Sequence, residues 1–197
     1  MRIVKNPDER KQEIIDGAIR LFATKGYEKT SITDIAKFIG ISQGLCYRYF
    51  ASKEEIYEAA IDDYASLIVS QNMKRHSHEK SIRELIYGIT DSIDNFTEVE
   101  KQNKDLFELF HAPNNKRMHD DLFIRIAEKL LPHVTEILTK AKESGEIVIE
   151  DPESIAAFAL YGQMGIFHMK GISDARRMEM IRSSMLQLLG LKQDGAD

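Results

Sequence analysis

Between Ser31 and Glu55 the chain signals three helix starts in quick succession. Ser31 can cap one helix, with Asp34 three residues on to answer it. Ser42 can begin a second. Ser52 can begin a third, with Glu55 in the answering position. Gly40 stops the first of these, where a glycine takes a backbone turn that other residues resist. Helices this short have few turns of their own to rely on, so they need close packing on one another. Small Ala36 allows a close crossing, and Ile35, Ile41 and Leu45 supply the wedge between the two helices. The pattern is a helix-turn-helix, whose second member is the element that enters a DNA major groove. Here that member runs from Ser42 to about Tyr49.

The rest of the chain is also written in helices, so the expected fold class is all-α. Asn6 can cap a first helix, Pro7 suits its first turn, and Ile14, Ala18, Leu21 and Phe22 share a face as far as Lys25-Gly26. The helix from Ser52 continues to about Met73. The polar stretch KRHSHEKS at 74–81 looks like a joint. Further helices are expected at about 81–97, 98–111, 115–143, 152–170 and 174–190, with Pro132 kinking or splitting the third of these. EIVIE at 146–150 is the one candidate strand.

Charge divides the chain in the same place as the motif. Residues 1–53 hold ten Lys and Arg against six Asp and Glu, so a segment of net +4 precedes a remainder of −9. A basic segment on an acidic chain suggests that one end meets a polyanion. No apolar run approaches the roughly 20 residues of a membrane span, and no signal peptide is read, so the expected compartment is the cytoplasm. The one cysteine, Cys46, fits a small packing residue better than a redox sensor.

Residues 21–57, LFATKGYEKTSITDIAKFIGISQGLCYRYFASKEEIY, resemble the TetR family of bacterial transcriptional regulators. The matching parts are Leu21-Phe22, Gly26-Tyr27, Thr30-Ser31, Ile35-Ala36, Gly40-Ile41-Ser42, Gly44, Tyr47-Arg48-Tyr49-Phe50 and Ser52-Lys53-Glu54-Glu55. Ile19-Arg20 stands before Leu21 where an alanine would be usual. The likeness covers roughly residues 10–60. It implies an N-terminal three-helix DNA-binding domain, taken as 1–53, and a C-terminal helical domain, 54–197, for effector binding and dimerisation. It also implies a DNA-binding repressor released by a small hydrophobic molecule.

The expected DNA contacts are Ser31, Thr33, Ser42, Gln43, Gly44, Leu45, Tyr47, Arg48, Tyr49 and Lys53. Ser42 and Gln43 lie where free amides and the helix dipole favour phosphate. Gln43 can also pair with an adenine edge. Gly44 keeps the helix slim, so that its backbone can come close. Tyr47 and Tyr49 offer hydroxyls to phosphates, while Lys53 can neutralise one. Leu45 fits the wedge better than a thymine contact, and Phe50 and Tyr27 fit the core. One such helix reads few base pairs, so two copies on a two-fold axis are expected, with half-sites about 34–36 Å apart. The last two helices are the expected dimer contact. The penultimate one is apolar on more than one face, and Met178, Ile181, Met185, Leu188 and Leu189 recur on the last.

A ligand cavity in the helical domain is expected from Phe96, Phe107, Phe110, His111, Met118, Phe123, Phe158, Met164 and Phe167. No metal set, cofactor motif or catalytic constellation is read. Two other readings remain open: a DNA-binding regulator without a ligand, and a helical carrier or enzyme with an incidental helix-turn-helix.

Overall fold

The protein was analysed as a computed structural model, which describes residues 6–77, 81–91 and 116–192. Eight helices are present among them: α1 (Pro7–Lys25), α2 (Ile32–Phe38), α3 (Gln43–Tyr49), α4 (Lys53–Arg75), α5 (Ile82–Asp91), α6 (Lys116–Glu143), α7 (Pro152–Phe167) and α8 (Asp174–Leu188). The chain divides into two compact units, and the divisions fall inside α4, after Ala65, and inside α6, after Leu122. The expected helix at 98–111 and the end of that at 81–97 lie outside the described residues.

The first unit is built from α1 to α3, the first half of α4 and the first turns of α6. Local chemistry fixes its helix starts. Asn6 accepts from the Asp8 amide over Pro7. Ser31 and Asp34 form a complete capping box. Ser42 accepts from the Leu45 amide at 3.2 Å, and Ser52 accepts from the Glu55 amide at 3.1 Å. Such caps stabilise by about 1 kcal/mol each. Gly26 and Gly40 take positive φ where α1 and α2 end. The core is Ile14, Ala18 and Phe22 from α1, Ile35 and Ala36 from α2, Cys46 from α3, then Phe50 and, from α4, Ile56, Tyr57, Ala60, Ile61 and Tyr64.

Gly17 is a packing device that the sequence pattern did not reveal. A Cβ there would lie 2.3 Å from Ile39 Cγ2. The missing side chain therefore lets α1 press against the end of α2. Gly17→Ala should lower the melting temperature by several degrees. Overpacking costs about 1–3 kcal/mol, which outweighs the roughly 0.5–1 kcal/mol gained by removing a mid-helix glycine. Thermal unfolding followed by circular dichroism checks this, and an unchanged or raised midpoint would show that Ile39 yields without cost.

The second unit packs α8 against α5 and α7. Ile82 and Ile86, Leu138 and Ala141, Ile147, Ala156, Leu186 and Leu189 form its core. The chain runs helical through Pro132, so the proline does not split α6. Residues 146–150 are not a strand. The amides of Glu146 and Ile147 both turn back to the Ala141 carbonyl, closing the end of α6 over Gly145. Ile147 is buried and Val148 is 94% exposed, which imitates strand alternation. The segment instead serves α5, because Glu146 Oε1 accepts from the Ile82 amide at 2.6 Å.

Candidate nucleic-acid interface

The short helix α3 has two unlike sides. Cys46 is fully buried and Phe50, its C-cap, is 1% exposed. Burial raises the Cys46 thiol above its usual range, so the thiol stays protonated packing. On the opposite side Gln43, Gly44, Tyr47 and Arg48 are exposed, and Leu45 and Tyr49 are half-buried. Tyr47 is 51% exposed, a large ring left to water on a helix only seven residues long. Gly44 has a negative φ, and an added Cβ would meet nothing within 4 Å. Neither backbone strain nor internal packing therefore requires a glycine at that position.

Helix α2 presents Ser31 and Thr33 to solvent at its start. The Ser31 hydroxyl is already committed. It accepts from the Asp34 amide at 3.1 Å and donates to Asp34 Oδ2 at 2.6 Å. Hydrogen bonds from Ser31 and then Lys25 hold the Asp34 carboxyl well below the usual carboxylate range. Ser31 is thus first a helix cap.

Lys53 is not a loose surface cation. It is half-buried, its Nζ donates to the Tyr27 carbonyl at 2.8 Å, and the same atom stands 4.1 Å above the Tyr27 ring. The ring is fixed by Phe22, edge-on at 5.1 Å, and by Tyr57 at 5.0 Å. Tyr27 donates its hydroxyl to Glu54, and Tyr57 donates to Asp121 Oδ2 at 2.8 Å. Burial, followed by these carboxylate partners, raises both phenols well above their usual range. Tyr27 was expected in the core. Its ring is packed there, while its carbonyl and hydroxyl organise charged neighbours.

Residues 14–60 match the family model of the bacterial regulatory proteins of the tetR family. Over that stretch, which holds the helix-turn-helix, the chain is similar to that family. Over 71 residues it is 39% identical to the biofilm operon icaADBC HTH-type negative transcriptional regulator IcaR of Staphylococcus aureus, a match covering 34% of this chain and 38% of that regulator. The chain thus spans well under half the length of the curated relatives it matches. The likeness of the fold extends further. A crystal structure from Syntrophomonas wolfei assigned to the TetR family superposes with a TM-score of 0.62 over 97% of this chain and 100% of that one, at 24% identity. RolR in complex with resorcinol gives 0.65 over 94% and 89%, at 17% identity.

In this chain the proposed pocket residues are only partly assembled. The Phe123 and Phe167 rings meet, with centroids 6.0 Å apart, and Met164 is half-buried one turn before Phe167. Met118 is buried in the first unit. Phe158 does not line the interior of its own chain. It is 69% exposed on an outer stripe of α7, one turn from exposed Tyr161 and Gly162 and two turns from Gly165. Phe96, Phe107, Phe110 and His111 lie outside the described residues. A groove of about 390 Å³ does exist in the second unit, but polar residues, Arg176, Arg182, Ser183 and Ser184 among them, line it with Tyr87 and Met180. None of the described pocket candidates is among its lining residues.

Two residues expected on the dimer face are also reassigned. Ile181 and Leu189 are 2% and 5% exposed within the single chain, because α8 spends that face on α5 and α7. The exposed positions of α8 include Arg176, Glu179 and Gln187, whereas those of α7 include Phe158 and Tyr161. The sequence missed Gly17, Arg117 and Asp121 altogether. Only the pairing of Tyr27 with Lys53 left a trace, since both stand in the stretch that resembles the family.

Proposed function

We propose that the chain is a homodimeric DNA-binding repressor that reads two half-sites with α3 and is released by a small apolar effector. One observation carries the reading. A short helix, buried on one side by Cys46, leaves Gln43, Gly44, Tyr47 and Arg48 in water on the other. That side joins an amide able to pair with adenine, a guanidinium suited to phosphate or guanine, and a phenol. A glycine gap lies between them. Thr33 and Lys53 flank it as phosphate contacts, and phosphate contacts set the register in which the bases are read. Repression is supported by the likeness to IcaR, a negative regulator.

Dimerisation is supported by α7. Ser154, Phe158, Tyr161, Gly162 and Gly165 are all exposed and recur at helical spacing along one stripe. Gly162 and Gly165 leave open space where side chains would stand, so a second helix could approach closely. An apolar effector is supported by the Phe123–Phe167 ring pair and by RolR, which shares the fold and holds resorcinol. Such an effector would act by differential affinity for two conformations of the dimer, a coupling of about 1–3 kcal/mol.

The test is fluorescence anisotropy against DNA from upstream of the protein's own gene, titrated with salt. Affinity should fall steeply with salt, as expected for counterion release from phosphates. Lys53→Ala should weaken binding to all sequences and reduce the logarithmic slope by about 1, whereas Tyr47→Ala should also narrow the gap between operator and random DNA. Equal, weak binding to both DNAs, indifferent to either substitution, would remove the reading.

A further inference from the structure

The contacts that hold Lys53 run on to α6, and the role assigned to them here rests on the DNA-binding reading above. Arg117, in the first turn of α6, places Nη2 3.4 Å from Glu54 Oε1 and Nε 3.6 Å from Asp121 Oδ2. Glu54 accepts the Tyr27 hydroxyl through its other oxygen. Tyr27 in turn holds the Lys53 ammonium with its carbonyl and its ring. The same Asp121 oxygen accepts from the buried Tyr57 hydroxyl, 2.8 Å away. All these residues belong to the same compact unit.

We propose that Arg117 is a positioning residue for DNA binding, which acts through Glu54 and Tyr27 to hold Lys53 ready for a phosphate. The geometry suits that role better than a stabilising one. The Arg117 side chain is 70% exposed and that of Glu54 50%, and exposed ion pairs contribute little to folding. Lys53 is different. A lysine stem loses much rotational freedom when it meets a phosphate, and one already fixed has less to lose. One N–H of the ammonium goes to the Tyr27 carbonyl, which leaves two for an anion. Glu54 is the neighbour of Lys53 in the chain and is its obvious competitor. Arg117 on one oxygen and the Tyr27 hydroxyl on the other keep that carboxylate occupied. A shift at the start of α6 would then reach the reading surface through Glu54, without any change in α3.

The experiment is a double-mutant cycle on operator affinity, using the full-length protein and the DNA site that wild type binds, with thermal unfolding of each variant alongside. Arg117→Ala should weaken operator binding roughly three- to tenfold, within the range in which positions without ligand contact modulate coupling, and leave the melting temperature in place. Tyr27→Phe, which keeps the ring and carbonyl but drops the hydroxyl, should produce a loss of similar size. In the Lys53→Ala background Arg117→Ala should cost nothing further, and Arg117→Lys should recover part of the affinity in the wild-type background. Losses that multiply in the double variant, with each substitution lowering the salt slope separately, would make Arg117 a direct phosphate contact and overturn the proposal. Wild-type affinity in Arg117→Ala would overturn it equally. Wild type that shows no salt-dependent preference for any site would instead refute the DNA-binding reading, and this inference with it.

Discussion

Phe158→Asp should turn a dimer into a monomer and lower operator affinity by about two orders of magnitude or more. The ring is 69% exposed on the single chain, so the substitution takes little from the fold. Burying a phenylalanine is worth about 1.5–3 kcal/mol, and a two-fold interface counts the loss twice, because the same patch faces itself. A carboxylate brought into that patch adds a desolvation cost, since the α7 stripe offers hydroxyl, phenyl, phenol and glycine but no cation. Operator binding follows assembly. Two linked half-site readers gain about 10²–10⁴ in avidity over one, and a monomer forfeits it. Sedimentation at micromolar concentration and anisotropy on the same preparation check the two halves of the claim. A Phe158→Asp chain that remains dimeric would place the interface elsewhere. One that dissociates but still binds the operator tightly would show that a single α3 suffices.

Much of the first unit can be read directly from the chain, because its structure is set by neighbours in sequence. Ser31 with Asp34, Ser42 with Leu45 and Ser52 with Glu55 are contacts of three residues' reach, and each appears in the fold where the pattern puts it. Gly26 and Gly40 take the positive φ their positions suggest. What cannot be read are contacts whose partners are far apart in sequence. Lys53 and the Tyr27 carbonyl are 26 residues apart, and Tyr57 and Asp121 are 64. No periodicity links them, so Lys53 reads as a free cation until the turn before α2 is folded back against α4. The same limit explains residues 146–150. Alternating Ile147 and Val148 look like strand, but the Ala141 carbonyl claims the amides a strand would need.

The second unit is legible as helices but not as a site, for a related reason. A phenylalanine at helical spacing reads alike whether it faces a cavity, a core or a partner. The fold separates three such cases. Phe123 and Phe167 meet each other, while Phe158 faces outward. On α8, Ile181 and Leu189 turn inward. Hydrophobic periodicity identifies a buried face but not the molecule that buries it.

Gly44→Leu should make the protein more stable and abolish specific DNA binding. Most damaging substitutions lower stability and function together, so this divergence is diagnostic. Glycine inside a helix costs about 0.5–1 kcal/mol relative to alanine, and leucine is almost as good a helix former. A Cβ at position 44 would meet nothing within 4 Å, and the backbone there has no positive φ to preserve. Nothing within the described chain gains from the glycine, so its use must lie outside. In the major groove the isobutyl group would stand between α3 and the bases, lifting Gln43 and Tyr47 off their partners. Each base contact displaced costs about 1–3 kcal/mol, and two or three together reduce a specific complex to the non-specific level. Thermal unfolding should show an equal or raised midpoint, and anisotropy should show operator and random DNA bound alike, with phosphate-driven salt dependence retained. If Gly44→Leu binds its operator as wild type does, α3 does not lie against the bases, and the exposed side of Gln43, Gly44, Tyr47 and Arg48 has another purpose. If the variant unfolds, the fold itself needs the glycine. A stable variant that has lost specific binding would show that the gap in α3 exists for DNA.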